Sequence, residues 1–385
     1  MKIGLVSPYD FTYPGGANEH IAHLAAEYRG WGHDVRILAP AARGRPLPDD
    51  PDFYRVGTPV PIPGNGSTAR ITLSLTLSRR VKEILARERF EVVHLHEPFM
   101  PALPLTVLYH SEARNVGTFH AFAESNLPYF YARPLLQPVV ERLDARIAVS
   151  PAAAEFVGQY FGGDYTIIPN GIEPSRYGAG VEPLPQYRDG RPTILFVGRF
   201  NEPRKGFRYL LRAFVLVREQ FPDARLLVVG RGDIKRYRDF LDRQQVHGVK
   251  FAGFIDREEL PRYYVSCDIF CAPSTKGESF GLILLEAMAS GRAVVASRIP
   301  GYAGVLEHGR DGWLVAPQDP TALALALVRV LADRELRAIL AEAGRHKAQQ
   351  FSWSEIARRV LAVYRGQPAG SAVVNRELVG AAVPS

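Results

Sequence analysis

Short apolar runs alternate with amphipathic stretches along this chain, and the alternation happens twice. Strand-like runs fall at residues 2–7, 34–40, 53–60, 91–96, 116–120, 146–149 and 165–169. A second series falls at 193–198, 225–230, 250–254, 268–273, 293–297 and 312–315. Helical spacing occupies 18–30 in the first half and 207–220, 234–245, 257–266 and 282–290 in the second, then 321–332, 335–349 and 352–364. Continuous apolar strands separated by helices must be buried on both faces, which means parallel sheets with helices on either side. Residues 173–191 have little periodicity and read as a linker. The expected fold class is therefore α/β with two Rossmann-like, doubly wound parallel-sheet domains. A chain of 385 residues suits two cores better than one. In such sheets ligands bind outside the carboxyl ends of the strands, and His96, His120, Ser150 and Asn170 fall at such ends.

Composition narrows the class further. The hydrophobic fraction of 46% is that of a globular protein, and no apolar run is long enough to span a bilayer. Cys267 and Cys271 sit in apolar surroundings and read as reduced core residues. The net charge of +7 favours an acidic partner: nucleic acid, anionic lipid or an anionic substrate.

The most informative stretch is Gly277-Glu278-Ser279-Phe280-Gly281-Leu282-Ile283-Leu284-Leu285-Glu286. It joins the apolar run ending at Pro273 to a helix over residues 282–289, with Ser279 as the expected N-cap. A strand, a tight turn and a helix N-terminus present unpaired N–H groups to an anion. Glu278 and Glu286 lie about two helical turns apart, and each carboxylate can accept two hydroxyl protons. A ligand with hydroxyls at both ends of a diphosphate, a sugar nucleotide, fits. The bland alternative is a surface turn before an ordinary helix.

Two further loops carry related chemistry. Gly198-Arg199-Phe200-Asn201-Glu202-Pro203-Arg204-Lys205-Gly206 crowds three cations between a strand end and a helix start. A helix N-terminus prefers anions, so these cations make sense if a diphosphate lies among them. The alternative is a solvated basic loop. Gly15 and Gly16 join the first strand to the first helix, where glycine allows a backbone to approach a phosphate. Gly230 to Asp233 ends another strand and is expected on the nucleotide side, with Asp256 a candidate acceptor for the base. His94 and His96 share one face of a strand end and look like a metal pair, but no second cluster completes a site. Asp50-Pro51-Asp52 mimics an Asp-x-Asp metal motif, and Asn65-Gly66-Ser67 is a formal glycosylation sequon; neither has supporting context.

The Glu-x7-Glu stretch, the Gly-Gly loop and the spacing of Arg199 and Lys205 resemble the donor site of the GT4 retaining glycosyltransferases, with Arg204 an extra match. The resemblance runs to about Gly366. It implies the GT-B architecture: residues 1–172 as an acceptor domain, 173–351 as the sugar-nucleotide domain, the two facing a deep cleft, with helix 352–366 packing back on the first and 367–385 disordered. It implies that Gly15, Gly16, Arg199, Arg204, Lys205, Gly230, Glu278, Ser279, Phe280, Gly281, Leu282, Ile283 and Glu286 meet the donor. Arg199 and Lys205 would stabilise the departing diphosphate, Glu278 would hold the sugar, and His120 would lie against the transferred sugar and the acceptor.

Further segments resemble one branch of that family, the phosphatidylinositol mannosyltransferases of actinobacterial type. They are Ser7-Pro8-Tyr9, Pro61 to Ser67, His94-Leu95-His96-Glu97-Pro98 and Pro169-Asn170-Gly171. By this resemblance the donor is GDP-mannose, the acceptor is phosphatidylinositol, and Tyr9, Asn18, Asn65, Ser67 and Arg70 meet the acceptor. The branch has Tyr where this chain has Gly64, so an aromatic surface at the acceptor is missing. No tightly bound cofactor is expected, and no motif requires a metal, though a divalent ion could stimulate. The expected state is a monomer, cytoplasmic and docked on the inner face of the cell membrane.

Docking without a span needs a peripheral element. Residues 78–87 place Val81, Ile84 and Leu85 on one face and Arg79, Arg80, Lys82 and Arg87 around them, suited to an anionic surface. The plainer alternative puts the apolar face on the core and the cations in water. Among rival functions, a GT4 enzyme with another donor or acceptor is the nearest. A nucleic-acid binder is not expected, because stacked aromatics and a basic stripe are missing. A sugar-nucleotide epimerase of the same fold is a further alternative.

Overall fold

The computed structural model describes residues 1–13, 15–46, 50–64, 67–74, 76–120, 127–178, 180–370 and 372–376, with the backbone alone for 63, 64, 67, 68, 127–130, 375 and 376. The chain forms two compact units, Met1–Asn170 with Trp353–Ser385, and Gly171–Ser352.

The first unit runs β1 (Lys2–Val6), α1 (Gly16–Gly30), β2 (Asp34–Ala39), β3 (Phe53–Arg55), β4 (Val60–Gly64), β5 (Ser67–Ile71), α2 (Leu77–Glu88), β6 (Val92–His96), α3 (Leu103–His110), β7 (Arg114–Phe119), α4 (Leu127–Val140), β8 (Ala145–Ala148), α5 (Pro151–Gly158) and β9 (Gly163–Ile167). The second runs β10 (Thr193–Val197), α6 (Phe207–Gln220), β11 (Arg225–Val229), α7 (Ile234–Arg243), β12 (Val249–Gly253), α8 (Leu260–Val265), β13 (Ile269–Ala272), α9 (Leu282–Ala289), β14 (Ala293–Ser297), α10 (Pro300–Ala303), β15 (Trp313–Val315), α11 (Pro320–Ala332) and α12 (Arg334–Gln349). The chain closes in the first unit with α13 (Trp353–Tyr364) and β16 (Val373–Arg376).

The first sheet has the order β16-β9-β8-β7-β6-β1-β2-β3, parallel throughout except for β16. Helices α2 to α5 cover one face and α1 with α13 the other, so β6 is buried along its whole length. The second sheet, β12-β11-β10-β13-β14-β15, is wholly parallel. Helices α6, α7 and α11 pack on one face, α8 and α9 on the other. Each sheet reverses its strand order once, at β1/β6 in the first and at β10/β13 in the second. The loops that leave those strands diverge, which opens a crevice at their carboxyl ends.

Three features differ from the sequence reading. The stretch read as one extended run at 53–60 is interrupted; β3 ends at Arg55, and Val60 begins β4, which pairs antiparallel with β5; Asn65 and Gly66 lie outside the described residues. The N-cap of α9 is Gly281 at φ 100°, not Ser279, because the turn continues two residues further before the helix starts. The tail expected to lack order from 367 contains β16, which pairs antiparallel with β9 over Gly163–Thr166. Residues 377–385 lie outside the described residues.

Candidate active site

In the second unit the β10 and β13 loops meet at the strand-order reversal. Arg199 and Lys205 leave β10, and Glu278 leaves β13. Arg204 Nη1 and Lys205 Nζ both donate to Glu278 Oε1, at 2.8 and 2.7 Å, and Ser274 Oγ donates to the same oxygen at 3.4 Å. Glu202 bridges the remaining cations, with Arg199 Nε at 2.8 Å and Arg204 Nη2 at 3.0 Å. The Lys205 end of the basic loop is therefore not solvated, while Arg199 stays exposed. Lys205 and Glu278 side chains each keep only 14% of their surface exposed. What brings the loops together is Gly206, at φ 69°: a Cβ there would lie 1.8 Å from the Pro273 carbonyl oxygen. Thr275 N–H reinforces the contact by donating to the Arg204 carbonyl at 2.7 Å.

The rest of the expected donor set divides. Glu286 is half-buried on α9, where Tyr264 OH donates to its Oε2 at 2.7 Å. Its neighbour Tyr177 has its hydroxyl pKa raised, by burial first and by the Glu286 charge second. The Phe280 ring is buried in the core, leaving its backbone to offer. Ser279, Leu282 and Ile283 are half-buried at the start of α9. Gly230 is required by the fold itself, since a Cβ would lie 2.0 Å from the Gly198 carbonyl oxygen. Asp256 is exposed beyond β12. A cavity of about 170 Å³ lies on the α6–α7 side, lined by Phe207, Arg208, Arg212, Arg236 and Tyr237; neither Lys205 nor Glu278 lines it.

In the first unit four histidines gather at the carboxyl ends of β6 and β7. His96 Nδ1 and His120 Nε2 share a hydrogen bond of 2.8 Å with their rings stacked. His94 bonds Tyr364 OH and Thr118 Oγ1, both at 2.6 Å. His20, which the sequence reading missed, faces both His96 and His120 and bonds Asn170 Oδ1 at 2.8 Å. Burial pushes all four imidazoles towards the neutral form, His20 to about 4 and His94 to about 3, with His96 and His120 well below the ordinary value. His94 and His96 do share a face, yet among the described residues no group of His, Cys, Asp or Glu is arranged to hold a metal ion. The His120 N–H donates to Glu97 Oε1 at 2.7 Å, fixing the backbone of that strand end. Ser150 is taken up in capping α5.

The residues expected at an acceptor gather around the loop after β1. Ser7 Oγ donates to Asn18 Oδ1 at 2.6 Å, and Tyr9 N–H donates to Ser7 Oγ at 3.1 Å. Asn18 Nδ2 donates to the Asp10 and Tyr13 carbonyls, so Asn18 braces the loop from inside and is buried. Tyr9 bridges to Ile71, and the Arg70 guanidinium lies 4.0 Å over the Tyr13 ring. Asn65 lies outside the described residues, and Ser67 is described by its backbone only. At Gly15 and Gly16 a Cβ would meet nothing within 4 Å and neither φ is positive, so the fold does not demand glycine at either place.

The sequence profile described as Glycosyltransferase Family 4 matches residues 14–176, and the one described as Glycosyl transferases group 1 matches residues 191–333. A protein of Mycobacterium tuberculosis named phosphatidyl-myo-inositol mannosyltransferase is 40% identical over 369 residues, covering 94% of this chain and 96% of its own length. The chain is a family 4 glycosyltransferase. A protein of the same name from Mycolicibacterium smegmatis is 38% identical, covering 99% of this glycosyltransferase and 97% of itself. The fold is shared with Anabaena Alr3699/HepE, solved in complex with UDP: TM-score 0.71, 20% identity, 95% of this chain and all of that one covered. This glycosyltransferase thus has the GT-B fold of two Rossmann-like domains.

One expectation for the glycosyltransferase is corrected by α2. Of Val81, Ile84 and Leu85, offered either to a membrane or to the core, Val81 and Ile84 are buried at 0% and 2% exposure and Leu85 packs half-buried against the same core. The cations face outward: Arg79 pairs with Glu83, and Arg80, Lys82 and Arg87 are exposed. A helix beside a sheet must spend its apolar stripe on that sheet. Among the described residues no helix is long and apolar enough to cross a membrane.

Proposed function

We propose that the enzyme transfers mannose from GDP-mannose to phosphatidylinositol with retention at the sugar carbon. The observation that carries the donor half is the convergence of Arg204 and Lys205 on one oxygen of Glu278 at the β10/β13 reversal. With Arg199 and Glu202 counted, three cations face two carboxylates, which leaves one positive charge in excess, and a diphosphate supplies the balance. The bond from the sugar carbon to the diphosphate oxygen breaks as the acceptor oxygen bonds the same face of that carbon. The acceptor proton passes to the departing diphosphate, whose growing charge Arg199, Arg204 and Lys205 stabilise. Glu278 accepts from sugar hydroxyls, Glu286 from the ribose, and Asp256 from the base. Gly15 and Gly16, which the fold does not require as glycine, allow close approach to the donor. His120 is kept neutral by burial and positions the reacting centre.

Mannose and phosphatidylinositol are supported by the names of the relatives at 37–40% identity that cover nearly the whole chain. Tyr9 and Arg70 are the described residues proposed to meet the inositol phosphate, with Asn18 holding their loop in place. The enzyme is proposed to dock on anionic lipid through Arg79, Arg80, Lys82 and Arg87, each cation contributing about 1 kcal/mol near the surface. Turnover of GDP-, UDP- and ADP-sugars, with and without phosphatidylinositol vesicles, tests the reading. GDP-mannose consumption that rises with the vesicles is expected. Preference for another nucleotide, or indifference to the lipid, would overturn the corresponding half.

A further inference from the structure

The basic helix α2 offers charge without apolar surface, because its apolar stripe is buried on the sheet. Among the described residues of this unit, the two most exposed large apolar side chains lie two helices away, on α4. Tyr131, Pro134, Leu135 and Pro138 are all exposed, at i, i+3, i+4 and i+7, so they form one outward stripe. Tyr131 keeps 73% and Leu135 80% of their surface open, while Leu136 and Val140 fill the opposite, buried face. A helix apolar on both sides normally sits inside a protein, so an outward stripe of this kind marks an interaction surface. Between α4 and α2 lies α3, which packs against both and carries Tyr109, 67% exposed, in its last turn. The three helices cover the same face of the sheet.

We propose that the α4 stripe, with Tyr109, inserts into the headgroup–acyl boundary of an anionic bilayer while the α2 cations hold the lipid charge. The proposal rests on the lipid-acceptor reading above and adds the element that enters the apolar layer. Charge decides between occupants: the flank carries Arg79, Arg80, Lys82 and Arg87 against the one exposed carboxylate of the helix, Glu83, a net basic fringe that suits an anionic surface and repels a second copy of itself. Tyrosine, apolar in its ring and polar at its hydroxyl, is the residue that settles at a bilayer interface.

The test uses the full chain with Leu135→Cys carrying an environment-sensitive fluorophore; the native Cys267 and Cys271 are buried and do not compete for label. With phosphatidylinositol/phosphatidylglycerol vesicles the label should shift to the blue, and brominated acyl chains should quench it. Neutral phosphatidylcholine vesicles should do neither. The double variant Tyr131→Glu/Leu135→Glu should bind the anionic vesicles roughly tenfold more weakly, with acceptor-independent donor hydrolysis unchanged. A label already shielded without vesicles, unaltered vesicle binding by the double variant, or a dimer that the double variant abolishes would each overturn the proposal. Its failure is separable from that of the lipid reading. If Arg79→Glu/Arg80→Glu loses vesicle binding while the label at 135 stays in water, the lipid reading stands and the α4 stripe falls. If the protein binds no anionic vesicle at all, both fall.

Discussion

Lys205 Nζ lies 2.7 Å from Glu278 Oε1, across 73 residues of sequence. Arg204 shares the same oxygen, so the carboxylate and the two cations form one unit at the end of the second sheet. The carboxylate holds the cations in place, and it also competes with any phosphate for them.

Glu278→Gln keeps the shape and removes the charge. Turnover should fall by about a hundredfold or more, equivalent to about 2.7 kcal/mol of barrier. GDP affinity should hold or improve, because the anion loses its competitor. Steady-state kinetics and calorimetric titration of GDP read the two effects separately; undiminished turnover would remove Glu278 from the site.

Gly206→Ala should disturb the fold and the site together. The new Cβ meets the Pro273 carbonyl at 1.8 Å and occupies a left-handed backbone at φ 69°. Strain and overpacking of this kind cost about 2 kcal/mol or more. Denaturant unfolding should show that loss, with weaker GDP binding alongside. Wild-type stability would mean that the two loops are not pressed together as described.

The double alternation of strands and helices was legible because parallel strands buried on both faces are largely apolar, as β11 and β14 are, with the two histidines of β6 the exception. The Gly-Glu-Ser-Phe-Gly turn and the basic loop were legible because each sits where a strand gives way to a helix. The pairing of Lys205 with Glu278 was not, since no local pattern records which loops a strand-order reversal brings together. His20 was hidden for a similar reason: on α1 it looks like any polar helix residue, and only the packing of α1 on β6 and β7 places it beside His96 and His120. In α2 the periodicity of Val81 and Ile84 was read correctly, but periodicity does not say whether lipid or sheet lies opposite.

The histidine cluster should make stability fall in mild acid. Burial holds His20 at about 4 and His94 at about 3, below the 6.5 of a free imidazole. Between pH 6.5 and 4 the unfolded chain therefore takes up protons that the folded chain refuses. Stability should be level above that window and decline through it as pH drops, by about 1.4 kcal/mol per unit for each such histidine. Urea midpoints from pH 7.5 to 4.5 measure this, and His94→Gln should make the slope shallower. A slope unchanged by the substitution would deny His94 its part.

Asn18→Ala should act through the loop after β1. It strips the acceptor from the Ser7 hydroxyl, removes the side-chain donor from the Tyr13 carbonyl and leaves the Asp10 carbonyl with only the Tyr13 N–H. About 1–3 kcal/mol of stability should be lost. The KM for the lipid acceptor should rise more than kcat falls, since Asn18 holds the loop that carries Tyr9. An unchanged KM with lower stability would confine Asn18 to folding.

The most direct test of the donor-site account is the affinity of GDP for Lys205→Ala, measured calorimetrically beside the wild type and checked for folding by circular dichroism. If Lys205 grips the diphosphate as proposed, its removal should weaken GDP by roughly ten- to a hundredfold, the range of a charge-assisted hydrogen bond. A folded Lys205→Ala protein that binds GDP as tightly as the wild type would contradict the account.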